Sequence, residues 1–184
     1  MLTAEQGTVA VRAVRAAIAH RLGRGPAPKL EARGPFAEPS GVFVTLRRNG
    51  QLRGCIGQPY PDLPLRDALL DSATSAAFQD HRFPPLASEE LDRVTMEVTV
   101  LTPPRSLECP PLRRAECVKV GRHGLIAAMG GQRGLLLPQV PVEQGWTRGQ
   151  YLDHLCEKAG LFAGCWRDEE AVLYTFTAVV FGEE

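Results

Sequence analysis

The sequence lacks three things, and each absence narrows what the chain can be. It has no net charge: 21 basic and 21 acidic side chains sit among 184 residues, so it is not built to bind nucleic acid by releasing counterions from many phosphates. It has no apolar run near the ~20 residues that cross a bilayer. Glu5, Arg12 and Arg15 also interrupt the opening segment where an export signal needs an unbroken apolar stretch, and the expectation is a cytoplasmic protein with no membrane contact. It lacks, finally, the short patterns of metal and nucleotide sites, since no HxH, HExxH, CxxC, GxxxxGK(S/T) or GxGxxG occurs. No metal and no cofactor are expected. The five cysteines (Cys55, Cys109, Cys117, Cys156, Cys165) are an odd number without an export signal, which reads as free thiols rather than a disulfide framework.

What is present is ordinary for a chain that folds around a core: 44% hydrophobic and 23% charged residues, in a length suited to one domain or two small lobes. The charge is uneven along it. Residues 1–60 carry nine basic against three acidic side chains, and residues 61–184 twelve against eighteen. This permits an anion-attracting surface on the first part, or two parts that simply complement each other.

Thr3 and Gln6 have capping-box spacing, and Val11, Val14, Ile18 and Leu22 follow on one helical stripe. Glycines and prolines crowd residues 24–41, which predicts a loop. Val42 to Arg47, the turn Asn49-Gly50 and Gln51 to Ile56 predict a hairpin. Leu65, Leu69, Ala73 and Ala76 predict a helix over 65–78. Met96, Val98 and Val100 alternate with Thr95, Glu97 and Thr99 as in a half-buried strand. A second hairpin is expected around Gly130-Gly131, then a helix opened by the capping pair Thr147 and Gln150, and one long strand from Ala171 to Phe181. Hairpin, Arg-Gly strand, proline loop and helix thus occur twice, with Arg53-Gly54 matched by Arg133-Gly134. The pattern suggests a duplication giving two related lobes, roughly 1–104 and 105–184, tightly associated within one domain around a cleft.

Chemistry concentrates at Leu52-Arg53-Gly54-Cys55-Ile56-Gly57. On a regular strand Arg53 and Cys55 share a face, where a guanidinium favours thiolate, and Gly54 and Gly57 allow a ligand or another backbone to come close. The alternative is a Cys55 packed as a small hydrophobe. Asp80, His81 and Arg82 follow the 65–78 helix: Asp80 or His81 as a general base for Cys55, or Asp80 and Arg82 holding the last helix turn while Phe83 and two prolines fix the exit. His123 is a further imidazole for a shared cleft, or a solvated turn residue. Gln139, Glu143 and Trp146 could line a ligand surface in the segment 134–146.

The segments LRGCIG (52–57), AAFQDHRFPPL (76–86), MEVTVLTPP (96–104), GRHGL (121–125), GLLLPQVPVEQGW (134–146) and EKAGL (157–161) resemble the AMMECR family in order and spacing across about residues 5–181. Gln58 departs from the family pattern, and no role is assigned to its side chain. The resemblance implies an α+β fold, with antiparallel sheet, flanking helices and two lobes around a cleft bearing LRGCIG. It also implies a setting alongside a MEMO-like protein and a radical S-adenosylmethionine protein, with a MEMO-like partner plausible for this chain. Two functions stand side by side. One is a cysteine-centred enzyme acting on a small or anionic substrate, with Cys55 as nucleophile, Arg53 as activator or substrate-holding group and Asp80, His81 or His123 as acid-base partner. The other is a non-catalytic binding module for a MEMO-like protein. Gly54, Gly57, Arg82, Gln139, Glu143 and Trp146 are the candidate ligand- or partner-binding residues.

Overall fold

A computed structural model describes residues 2–183. The elements in chain order are α1 (Ala4–Arg21), β1 (Val42–Arg48), β2 (Gln51–Gln58), α2 (Leu65–Phe78), β3 (Val94–Leu101), β4 (Arg105–Ser106), α3 (Arg114–Cys117), β5 (Gly124–Met129), β6 (Gln132–Leu136), α4 (Val140–Glu143), α5 (Arg148–Lys158), β7 (Val172–Phe176) and β8 (Ala178–Gly182). The fold is α+β, with antiparallel strand pairing in both sheets. Two compact units form, one from the chain up to Leu101 together with the residues from Val179 onward, the other from Thr102–Ala178. Among the described residues no helix is long and apolar enough to cross a membrane.

In the first unit the sheet order is β2-β1-β3-β8. Val42, Val44 and Leu46 on β1 and Met96, Val98 and Val100 on β3 point to one face and are buried, as period-two alternation requires. They pack with Val14 and Ile18 of α1 and Leu65, Leu69 and Ala73 of α2 in one core. The capping box at Thr3 and Gln6 is made as the spacing predicts. Asn49 and Gly50 both adopt positive φ, 51° and 78°, which a two-residue turn of this hand demands. Helix α2 crosses β2 at Gly54, where a Cβ would overlap the Ala76 carbonyl.

In the second unit the order is β4-β7-β5-β6. Leu125, Ala127, Tyr151, Leu152, Leu155 and Leu173 build its core. The buried Tyr151 hydroxyl donates to the carbonyls of His123 and Leu136 at 3.0 and 3.3 Å, and burial pushes its ionisation upward. Here α5 ends against Gly134, where a Cβ would overlap the backbone of Lys158 and Ala159. Each sheet therefore runs second hairpin strand, first hairpin strand, the strand after the helix, then one added strand. The helix meets the hairpin at the glycine of Arg-Gly in both.

Two expectations are corrected. The long terminal strand is two: Thr177 breaks the ladder, its N–H donating to Thr102 Oγ1 at 2.8 Å and its carbonyl accepting from Thr102 N at 2.9 Å, and β7 and β8 join different sheets. No breaker residue marks this point, so the pattern alone could not show it. Four of the cysteines are paired, Cys109 with Cys117 and Cys156 with Cys165. Their Cα atoms lie 6.6 and 6.0 Å apart, within reach of a disulfide, because each segment folds back on itself through short helical turns. The odd cysteine, Cys55, is the free one.

Candidate thiol site

Cys55 lies on β2, the edge strand of the first sheet. An edge residue presents its peptide groups outward with no strand to satisfy them. Here side chains take that place. Cys55 N donates to Asp80 Oδ2 at 2.9 Å, and Arg82 Nη2 donates to the Cys55 carbonyl at 3.1 Å. Asp80 and Arg82 are joined in turn: Nε to Oδ1 at 2.9 Å, Nη2 to Oδ2 at 2.7 Å, and the Arg82 amide to Oδ1 at 3.2 Å. The segment that follows α2 thereby grips Cys55 at both of its peptide groups.

Asp80 is buried, and its carboxyl is held well below the usual carboxylate range. Arg82's side-chain hydrogen bond does most of this against the opposing effect of burial, and the amides of Cys55 and Arg82 add to it. Such a carboxylate stays ionised and has little tendency to take a proton near neutrality. Its geometry is that of a clamp on the cysteine backbone. Arg82 is correspondingly held cationic, chiefly by Asp80, with a smaller contribution from Cys55.

Arg53 has a different neighbour. The register shifts between Leu46 and Arg47, with Leu46 opposite Gly54 and Arg47 opposite Leu52, so Arg53 is the extra residue of a β-bulge. The regular alternation that would set Arg53 beside Cys55 is interrupted there. Arg53 Nε and Nη2 donate to Glu90 Oε1 and Oε2 at 3.0 and 2.9 Å. Arg48 Nη1 and Ala87 N also donate to Glu90, at 3.1 and 3.0 Å. The side chains of Arg53 and Glu90 are only 10% and 18% exposed. Arg53's fork, aided by the Ala87 amide, brings the Glu90 carboxyl down to about 2. The Phe83 ring lies under both guanidinium groups, 5.9 Å from Arg53 and 5.6 Å from Arg82.

The half-buried Cys55 side chain meets Thr45, its partner across the hairpin, whose hydroxyl donates to Sγ at 3.3 Å. Thr45 is in turn opposite Glu97 on β3, and Glu97 Oε1 accepts from Arg47 Nε at 2.9 Å. Thiol, hydroxyl and carboxylate thus form a row across three strands, on the face away from the buried Val44 and Val98. Sequence reading passed over Thr45, Glu97 and Glu90. The polar alternation of β1 and β3 was a usable signal for the first two, whereas Glu90, on a short 3-10 segment (Ser88–Arg93), had none.

Of the remaining candidates, Gly54 lies under α2 and Gly57 under the Phe43 ring, so the chain itself fills the space that these glycines leave. His81 is exposed. The others belong to the second unit. His123 Nδ1 accepts from Lys119 N at 3.3 Å, and burial, then the charges of Arg122 and Lys119, lower its proton affinity. Gln139 and Glu143 are exposed at the two ends of α4. Trp146 stacks on His154 with ring centroids 4.1 Å apart.

With this geometry in hand, comparison with known proteins is specific. The family model described as AMMECR1 matches residues 11–181. A protein of Methanocella arvoryzae is 48% identical over 185 residues, covering 100% of this chain and 93% of that one. A protein of Thermococcus gammatolerans is 48% identical, covering 98% and 91%. The crystal structure of the uncharacterized protein PH0010 from Pyrococcus horikoshii superposes with a TM-score of 0.84 at 46% identity, over 98% of this chain and 92% of that one.

Proposed function

The chain belongs to the AMMECR1 family, and from that premise and the geometry around β2 we propose that it is a thiol-dependent enzyme with Cys55 as its nucleophile. One observation carries the reading. Among the described residues Cys55 is the one cysteine outside a disulfide, and its peptide group is gripped on both sides by Asp80 and Arg82 while Sγ is left half-buried with a hydroxyl donor. A nucleophile fixed at the backbone and open at the side chain is what covalent catalysis needs. Asp80 positions the thiol rather than taking its proton.

Brief treatment of the native, unreduced protein with iodoacetamide, read by peptide mass spectrometry, tests this. Cys55 should be modified quickly and the other four cysteines only after reduction. The Cys55→Ser variant should keep the wild-type melting temperature and lose turnover of any substrate that a screen finds. A Cys55 that stays unmodified until the protein is denatured overturns the reading.

One observation favours the second reading, a docking module for a MEMO-like protein. Val142 on α4 is 59% exposed and Val120 36%, and Val142 Cγ2 lies against Gly121, the residue that follows Val120. On that reading Val142→Asp abolishes capture of a purified MEMO-like protein and Cys55→Ser does not.

A further inference from the structure

Arg82 has one group uncommitted. Nε and Nη2 serve Asp80, and Nη2 also serves the Cys55 carbonyl. Nη1 has no hydrogen-bond acceptor among the described residues, although the side chain is 47% exposed. Arg53, the other cation against Phe83, is enclosed and committed to Glu90. The charged groups around this part of β2 are Arg47, Arg48, Arg53 and Arg82 against Asp80, Glu90 and Glu97, which leaves one positive charge in excess. The Asp80 fork fixes the guanidinium plane, so Nη1 is presented in one orientation rather than sampled by a mobile side chain. With Nη2 3.1 Å from the Cys55 carbonyl, Arg82 borders the residue that carries Sγ.

We propose that Arg82 Nη1 anchors the oxyanion of a small electrophilic substrate, holding a carbon a few bonds from that oxyanion against Cys55 Sγ. The assignment rests on Cys55 being the nucleophile. The substrate class is a small anion, a carboxylate being the simplest, whose electrophilic carbon is close to its charge.

Two reagents that differ in one group test it. In both, the thiol loses its proton to solvent, sulfur forms a bond to the methylene carbon, and iodide departs with the electron pair of the broken C–I bond. Iodoacetate carries the oxyanion and iodoacetamide does not. The ratio of their rates at Cys55 should exceed the ratio for N-acetylcysteine by about fivefold, the worth of one partly exposed ion pair. Arg82→Met should return the ratio to the free-thiol value, and Arg82→Lys should restore part of it. Raised sodium chloride should lower the ratio in the wild-type protein, which keeps the test independent of any variant's folding. If Cys55 reacts with iodoacetamide but the ratio equals that of the free thiol and ignores salt, the anchoring role is wrong and the nucleophile stands. If Cys55 reacts with neither reagent, the nucleophile reading itself falls.

Discussion

Replacing Glu90 with glutamine should lower the stability of the first unit by about 3 kcal/mol, because it leaves buried Arg53 without its counter-charge. For a chain of this length that is a drop of roughly 6–12 °C in melting temperature. The pH dependence gives the effect its signature. The Glu90 carboxyl is lowered from 4.5 to about 2 in the folded protein. Its contribution is therefore complete above the unfolded value and is lost as pH falls from 4.5 toward 2. Denaturant melts of the wild type and of Glu90→Gln should differ most near neutrality and converge near pH 2. The acid limb that persists in the variant belongs to Asp80, which is shifted in the same direction. Curves that stay parallel across this range would show that the ion pair contributes nothing.

The second large effect is expected at Gly54. An added Cβ overlaps the Ala76 carbonyl, which is backbone and cannot rotate aside, so α2 must lift from β2. A cost of about 3 kcal/mol is expected for Gly54→Ala, the upper end of overpacking in a filled core. The same substitution at Gly134 meets the backbone of Lys158 and Ala159 and should cost about as much. Gly149, within α5 and with nothing near its Cβ position, is the control. There alanine should be neutral or stabilise by up to about 1 kcal/mol through helix propensity. Thermal melts of the three variants decide the matter. A Gly54→Ala protein that melts like the wild type would refute the close crossing, and with it the shared device of the two units.

Much of this architecture was legible beforehand, for local reasons. The 65–78 helix is where periodicity placed it, because an apolar stripe every three to four residues can be buried in only one conformation. The two capping boxes and the Asn49-Gly50 turn are made as their spacing demands, since donor, acceptor and positive φ lie within a few residues of one another. Cys55 and Arg82 stood out by residue type. Their relation did not, because a hydrogen bond between residues 27 apart leaves no periodic trace.

By itself, then, the sequence determined the three long helices, the hairpins, the repeat of the Arg-Gly strand and the family, all properties of local pattern. Tertiary structure alone decided the partners. A bulge turned Arg53 toward Glu90 and left Arg82 beside Cys55. Fold-back segments paired four cysteines, and the final run of β-formers was divided between two sheets at Thr177. Partner choice is a matter of distance in space and burial, and neither is written in the order of residues along one strand.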